Sequence, residues 1–250
     1  MSEAFVQALA VPGLGWLLAT CFVAGVVYGF AGFGAALIFM PVGAIFLPME
    51  SAIASFNLAA MASVFTVLPA ALRQVDRAQS GVMIAVALPF IALGLLVLAH
   101  ADTVALRWGV IAVSSVTLLA LMAGWRYRTT PGPATRAGVA AATGLVGGAT
   151  GLLGPVLILF QLSGQEGVAR SRATTLVFLT VTSTMLVPMM AFRGILSASA
   201  IALGFLMLVP YGLGTKVGQT LFVPAREEGY RVVAYGIIGT AILLGLPVWD

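Results

Sequence analysis

Charged residues are scarce in this chain of 250 residues: they make up 8% of it, whereas a soluble domain carries about 25%. So few charges cannot cover a water-exposed surface, which excludes an ordinary soluble globular protein. Hydrophobic residues make up 61% of the chain, and the mean hydropathy is +1.10. The composition therefore predicts a protein that is solvated by lipid.

Residues that carry metal and redox chemistry are nearly absent. The chain has one cysteine, Cys21, and one histidine, His100, so it offers neither an internal disulfide nor a histidine-rich metal site. We expect no metal and no cofactor. There is also no nucleophile–base pair, paired carboxylate or Walker-type loop, and we therefore do not expect an enzyme.

Carboxylates are missing from the apolar runs. All eight acidic residues lie at the termini or in the segments between the runs. Proton- and cation-coupled carriers often keep a carboxylate in the middle of the membrane, so the pattern favours an anion as the solute. The basic residues are scattered among short loops and form no basic face, which argues against nucleic acid as a partner.

Long apolar runs are what the chain does contain. Runs of more than about 18 residues mark membrane-spanning helices, and these runs show none of the alternation of barrel strands. We predict an all-α membrane protein, with residues 1–250 as a single transmembrane domain. The windows are 52–72, 78–99, 104–125, 198–217 and 232–248.

Two glycine-rich interruptions occupy corresponding places in the two halves of the chain. Their glycines recur at a separation of 119 residues, and Pro69 and Pro188 have the same separation. Interrupted apolar segments at corresponding positions indicate a transport site at a repeat interface. We therefore predict two repeats, over 11–125 and 136–250. The matched glycines are Gly25, Gly29 and Gly32 with Gly144, Gly148 and Gly151.

Each interruption divides an apolar stretch that is too long for one spanning helix and short for two. The first stretch, 11–48, splits at 29–34, and the second has arms over 137–147 and 152–162. Each repeat is predicted as a broken helical hairpin, re-entrant or a short full crossing, followed by three transmembrane helices. Such a unit crosses the membrane an odd number of times, so the second repeat is predicted to be inverted relative to the first.

The arginines divide unequally if each hairpin returns to the side from which it enters. Nine of the eleven then share one face, which the positive-inside rule assigns to the cytoplasm. We predict an integral protein of the bacterial plasma (inner) membrane with both termini outside the cytoplasm. Arg170 and Arg172 either set this orientation or collect anions beside the second hairpin. The nine are Arg73, Arg77, Arg126, Arg128, Arg136, Arg170, Arg172, Arg226 and Arg231.

Glycines at the interruptions are the first candidates for substrate contact. Without a side chain they let a ligand or another backbone approach closely, and a restarted helix presents N–H groups that favour an anion. Tight packing of helices through small residues is the alternative explanation. The six candidates are Gly29, Gly32, Gly34, Gly148, Gly151 and Gly154.

A few polar side chains in apolar segments are the remaining candidates. Asn57, the only asparagine, must be hydrogen-bonded in lipid, and it either binds substrate or ties two helices together. Thr174 and Thr175 lie beside the second hairpin, although hydroxyls in membrane helices often bond to the preceding turn. Lys216, the only lysine, either meets an anion or extends to the interface. Gln161 is placed to reach the region beside the second hairpin where Arg170 and Arg172 would collect anions.

The two interruptions and the polar clusters that follow them resemble one known family. The glycine-rich runs are GFGA at 32–35 and GLLGP at 151–155, and the clusters are Ser55–Asn57 (sequence SFN) and Thr174–Thr175. Over nearly the whole chain this pattern is similar to the TauE/SafE family of sulfite and organosulfonate exporters. The resemblance implies anion transport, and we expect a secondary transporter that exports sulfite or an organosulfonate. Rocking of the two repeats would give alternating access at their interface.

Two alternatives remain open at this point. An anion channel would share the site but lack an alternating gate, and a non-transporting membrane scaffold or assembly factor would use the glycines for packing only. The expected partners are a small anionic solute and the lipid bilayer, and the sequence is compatible with a homodimer.

Overall fold

The computed structural model describes residues 2–124, 132–161, 168–221 and 227–248. Within these ranges the ordered elements are helices and no strand occurs, which confirms the all-α prediction for the described part of the chain. In chain order the helices are α1 Ser2–Leu9, α2 Leu14–Ala31, α3 Ala35–Phe46, α4 Met49–Ala60, α5 Ser63–Thr66, α6 Leu68–Ala71, α7 Arg77–His100, α8 Thr103–Met122, α9 Pro133–Thr150, α10 Pro155–Gln161, α11 Val168–Phe192, α12 Ala198–Leu221 and α13 Glu227–Leu244.

Five of the described helices are long and apolar enough to cross a membrane. The predicted spans over 78–99, 104–125 and 198–217 are confirmed as α7, α8 and α12, with boundaries that differ by a few residues. In α13 the apolar part is shorter than the predicted window 232–248, since it covers Val232–Leu244. The five are Leu14–Ala31, Arg77–His100, Thr103–Met122, Arg170–Phe192 and Ala198–Leu221.

The prediction of one continuous helix over 52–72 is wrong. The segment forms α4, α5 and α6, and Val67 separates the last two. Pro69 in the first turn of α6 has no N–H to donate and cannot continue the preceding helix. The Thr66 carbonyl accepts a hydrogen bond from Gln219 Nε2 of α12 at 2.9 Å instead, so the interrupted backbone is satisfied by a neighbouring helix.

The first interruption is confirmed between α2 and α3. Here α2 ends at Ala31 and α3 begins at Ala35, and we call residues 32–34 the first break. Gly32 (φ 79°) and Gly34 (φ 91°) are both left-handed, a conformation that costs other L-residues about 1–2 kcal/mol. The Gly32 N–H donates to the Tyr28 carbonyl at 2.8 Å, which is the usual way for a glycine to end a helix.

The second interruption lies later than the sequence predicts. The first arm, predicted over 137–147, is α9, which continues to Thr150; α10 begins at Pro155, and we call residues 151–154 the second break. Gly151 is left-handed (φ 74°) and its N–H donates to the Gly147 carbonyl at 2.8 Å. Gly147 and Gly148 stay inside α9 because packed neighbours, rather than a turn, require a small residue there.

Glycines join α2 closely to α12. A Cβ at Gly29 would come within 2.9 Å of Gly218 Cα, and a Cβ at Gly25 within 3.3 Å of Gly214 Cα. The two backbones therefore touch, as in the small-residue helix pairs of membrane proteins. Both pairs have rising residue numbers along each helix, so α2 and α12 run parallel.

A matching glycine contact joins α9 to α7. A Cβ at Gly148 would come within 3.0 Å of Gly94 Cα, and one at Gly144 within 3.1 Å of Phe90 Cβ. These helices also run parallel. In each half of the chain, the helix that leads into a break packs against a long helix of the other half.

Polar contacts bring the first turns of three helices to one end of the bundle. Arg170 at the start of α11 lies 3.9 Å from the Asp76 carboxylate, which precedes α7. Arg136 in α9 donates to Gln79 Oε1 in α7 at 2.7 Å. We call this the arginine end of the bundle. Arg126, Arg128 and Arg226 lie outside the described residues, and the predicted orientation in the membrane stays a prediction.

Candidate functional site

Residues from both breaks line one cavity. It contains about 460 Å³ of space not filled by atoms, a volume that includes open solvent at its mouth. Gly34 and the first residues of α3 line one side of it, and Gly151, Gly154 and Pro155 line another. Leu153 of the second break and helices α2, α4, α5, α11 and α12 contribute the remaining lining residues. Two segments that are 119 residues apart in the sequence therefore meet around a single space.

The polar groups of the cavity are hydroxyls. Tyr28 and Thr180 both line it, and 3.1 Å separates Tyr28 Oη from Thr180 Oγ1. Hydroxyls both donate and accept hydrogen bonds, so the lining offers donors to a bound anion. Within the described part of the chain, no charged side chain lines this cavity. The five hydroxyl residues are Tyr28, Ser63, Thr180, Ser183 and Tyr211.

Aromatic rings form a rigid wall beside these hydroxyls. The ring centroids of Tyr28 and Tyr211 are 6.2 Å apart, and Phe56 meets Tyr211 edge-on at 5.9 Å. Phe39 stacks on Phe56 at 4.8 Å. Offset and edge-on ring pairs are the favoured arrangements. The wall therefore holds the two tyrosines in place while their hydroxyls remain near the cavity.

The start of α3 also faces the cavity. Ala35, Ala36 and Leu37 form its first turn and all three line the space. The first N–H groups of an α-helix lack intrahelical partners and carry partial positive charge. The Gly34 N-cap has no side chain to satisfy them. This end of the cavity therefore combines backbone donors with a favourable potential for an anion.

Three of the six candidate glycines line the cavity: Gly34, Gly151 and Gly154. Gly29 and Gly148 do not line it, because each lies in a helix–helix contact, with α12 and α7 respectively. The alternative explanation of tight packing therefore accounts for these two glycines. Gly32 ends α2 and lies against the side chain of Arg172.

The polar candidates lie outside the cavity lining. Asn57 is buried in α4 and its Nδ2 donates to the Ile53 carbonyl at 2.8 Å, while its Oδ1 has no hydrogen-bond partner among the described residues. Thr174 and Thr175 are buried as well. Each donates to a carbonyl of the preceding turn of α11 at 3.0 Å, which satisfies the hydroxyl within its own helix.

Lys216 and Gln161 do not add to the cavity either. Lys216 is exposed on α12, whereas Gly214 and Gly218 of that helix face α2. This placement fits a side chain that extends to the membrane interface. Gln161 is the last residue of α10, and its side chain lies outside the described part of the structure.

Sequence analysis missed the tyrosines and Ser63. Tyr28 adjoins Gly29 in the first glycine run, so its position was a usable signal, but Tyr211 and Ser63 carry none. Thr180 and Ser183 belong to a hydroxyl-rich helix whose members look alike in the sequence. Their distinction from Thr174 and Thr175 depends on which neighbours α11 packs against.

Arg172 connects α11 to the first break. Its guanidinium donates to the carbonyl of Gly29 in the last turn of α2. A positive charge at the C-terminal end of a helix is favourable, because the last carbonyls lack partners and carry partial negative charge. A residue in the second half of the chain therefore stabilises the end of α2, which belongs to the first half.

Comparison with known proteins gives one family. The model of the family described as sulfite exporter TauE/SafE matches residues 17–245, nearly the whole chain. No curated protein and no solved structure gives a significant match.

Proposed function

The chain belongs to the TauE/SafE family of membrane transporters, and from this premise we propose that it carries a small anion through the cavity between its two breaks. The observation that carries the proposal is the meeting of both breaks at one hydroxyl-lined space without a charged lining residue among those described. Hydroxyl and backbone N–H donors bind an anion, while a carboxylate in the same place would repel it.

The substrate class follows from the donors. The start of α3 and the hydroxyl residues Tyr28, Thr180 and Ser183 all line the cavity, and this set of several donors suits a compact oxyanion with several acceptor oxygens. Sulfite or an organosulfonate is the substrate we test first, with export as the direction. The aromatic wall at Tyr211 and Phe56 would accommodate the organic part of a sulfonate.

Alternating access requires two halves that rock against each other, and helix directions support inverted repeats over 11–125 and 136–250. The helices α2 and α9 run parallel to α12 and α7, respectively. Asp76 and Arg170 bring the starts of α7 and α11 together, and α12 follows α11 after a short link. If α12 turns back along α11, it runs opposite to α7. In that case α2, which is parallel to α12, runs opposite to α9, which is parallel to α7, as an inverted pair of hairpins requires.

Accessibility of engineered cysteines tests this inversion. Cys21 is buried and is the only cysteine, so Cys21→Ala provides a background without thiols. Gly15 and Gly132 lie at the outer starts of α2 and α9, and both are exposed. We expect Gly15→Cys and Gly132→Cys to react with a membrane-impermeant maleimide from opposite sides of sealed vesicles. Labelling of both from the same side would refute the inversion.

Transport itself is tested in proteoliposomes with radiolabelled sulfite and methanesulfonate. Gly154→Leu is the informative variant, because among the described residues the only atom within 4 Å of an added Cβ is Leu179 Cδ1 at 3.9 Å, and the rest of the side chain would enter the cavity. We expect flux to fall at least about tenfold while the melting temperature stays close to wild type, since excluded substrate loses its binding energy.

The matched control is Gly138→Leu in α9, where an added Cβ meets nothing within 4 Å and the site is exposed. This variant should transport like wild type. Counterflow distinguishes a carrier from an anion channel, because only a carrier accelerates labelled uptake against unlabelled substrate inside. Absence of flux for every small anion tested, in a folded wild-type protein, would contradict the proposed function and favour a scaffold.

A further inference from the structure

A polar seam joins α2 to α11 between the cavity and the arginine end. Arg172 donates to the Gly29 carbonyl, and one turn further along α11 the Leu176 carbonyl accepts from Tyr28 Oη at 3.5 Å. Another turn on, Thr180 meets the same Tyr28 hydroxyl. Arg172 and Thr180 are separated by about 12 Å along the helix, at 1.5 Å per residue. The seam therefore extends from the cavity lining to Arg172, the second residue after Arg170.

Arg172 also covers the first break with its aliphatic stem. A Cβ at Gly32 would come within 2.9 Å of Arg172 Cγ, so the stem lies directly on the left-handed glycine that ends α2. The guanidinium of Arg172 thus holds the Gly29 carbonyl in the last turn of α2, and its aliphatic part packs on the turn that follows. Separation of α2 from α11 requires this side chain to leave both contacts.

The corresponding contact at the second break is apolar. Ile53 lies 119 residues before Arg172, and its Cγ1 would lie 3.0 Å from a Cβ at Gly151. Gly147 occupies the position that corresponds to Tyr28, so that position carries no tyrosine hydroxyl. The two breaks are therefore held by unlike side chains. One of them has a positive charge and a tyrosine hydroxyl, and the other has aliphatic packing.

We propose that the α2–α11 seam is the gate on the arginine side of the cavity and that Arg172 is the residue of this gate that binds the incoming anion, an inference that rests on the proposed anion transport. In the closed state the guanidinium holds the Gly29 carbonyl. An anion that reaches the first break replaces this neutral acceptor, because a hydrogen bond between two charged groups is stronger. The gate opens because the anion binds Arg172 more tightly when its guanidinium has left the Gly29 carbonyl than when it is still bound to that carbonyl.

Two measurements on Arg172→Gln test the proposal. In sulfite uptake, we expect the KM to rise about tenfold or more with a smaller change in maximal flux, since a charged hydrogen bond to the substrate is lost. In the absence of sulfite, we expect a thiol at Ala60→Cys, in the cavity lining, to react several-fold faster with a small cationic methanethiosulfonate added at the arginine end. The labelling uses the Cys21→Ala background.

Arg172→Lys keeps the charge but not the planar fork of donors, and its KM should lie between those of wild type and Arg172→Gln. Arg73→Gln is the control, because Arg73 is exposed and lies three residues before Asp76 in the sequence. This variant removes an equal charge and should change neither KM nor labelling. If Arg172→Gln destabilises the protein, Tyr28→Phe opens the same seam and should raise labelling as well.

Unchanged KM and unchanged labelling in folded Arg172→Gln would overturn the gate. So would a fall in maximal flux with the KM unaltered, because a purely structural arginine would produce that pattern. Failure of the proposed function is distinguishable from this: wild-type protein would then carry neither sulfite nor methanesulfonate, whereas the sulfite-free labelling comparison would still report whether Arg172 closes the seam.

Discussion

The hydroxyl of Tyr28 lies 3.1 Å from Thr180 Oγ1, although 152 residues separate them in the sequence. Both residues are buried, and both line the cavity. The contact joins the helix that enters the first break to a helix of the other half of the chain. A change in the distance between these halves therefore acts directly on groups that would contact the solute.

This pair should be energetically coupled. Tyr28→Phe and Thr180→Val each remove one hydroxyl with little change in volume, and a hydrogen bond in such a place contributes about 0.5–1.5 kcal/mol. In a double-mutant cycle followed by unfolding in detergent, the double variant should lose less stability than the two single losses added together. Strict additivity would show that the hydroxyls do not interact.

Gly29→Ala should weaken the contact between α2 and α12. The added methyl would overlap the backbone of α12 near Thr215 and Gly218, and overpacking of this kind costs about 1–3 kcal/mol. We expect a clearly lower melting temperature. Gly15→Ala in the same helix meets nothing within 4 Å and should be neutral or slightly stabilising, so equal losses in both would contradict the packing role.

Gly151 and Gly154 should respond differently to the same substitution. Alanine at Gly151 must adopt φ near 74°, which costs about 1–2 kcal/mol before any contact is counted. Gly154 has no such conformation, and its alanine variant should stay within about 0.5 kcal/mol of wild type. Chemical denaturation of both purified variants measures their free energies of unfolding. If Gly154→Ala lost as much stability as Gly151→Ala, the prediction would be contradicted.

Thr174→Val and Thr175→Val should leave transport nearly unchanged. Both hydroxyls are satisfied by carbonyls of their own helix, and bonds of this type contribute little to contacts between helices. The KM for sulfite should stay within about twofold of wild type. Thr180→Val loses the contact with Tyr28 and should raise the KM for sulfite by more than this. A strong effect at Thr174 would place substrate on that face of α11.

Particular residues show how far the sequence could predict the fold. Gly32 and Gly151 identified the two breaks because a helix that ends in a left-handed residue needs glycine at that position, which is a local requirement. Gly29 and Gly148 belong to the same glycine runs but lie inside helices. They are needed because another backbone touches them, and no property of their own segment distinguishes these cases.

The site was less predictable for the same reason. Asn57, Thr174 and Thr175 are polar residues in apolar helices, which made them candidates, yet their own helices provide their hydrogen bonds. Tyr28 and Tyr211 became lining residues because α2 and α12 pack side by side. The interruption of 52–72 was missed although Pro69 was a local signal for it. The residue that satisfies the backbone there, Gln219, lies on a helix far along the chain.

The sequence alone therefore determined that this protein is solvated by lipid, that it is helical, and where its helices are interrupted at the two breaks. Hydropathy and glycine conformation act over one turn or one helix, so they can be read from neighbouring residues. Only the tertiary structure decided which glycines pack, which hydroxyls line the cavity and where Arg172 lies. Those outcomes depend on contacts between residues more than fifty positions apart in the sequence, which arise only when the helices pack together.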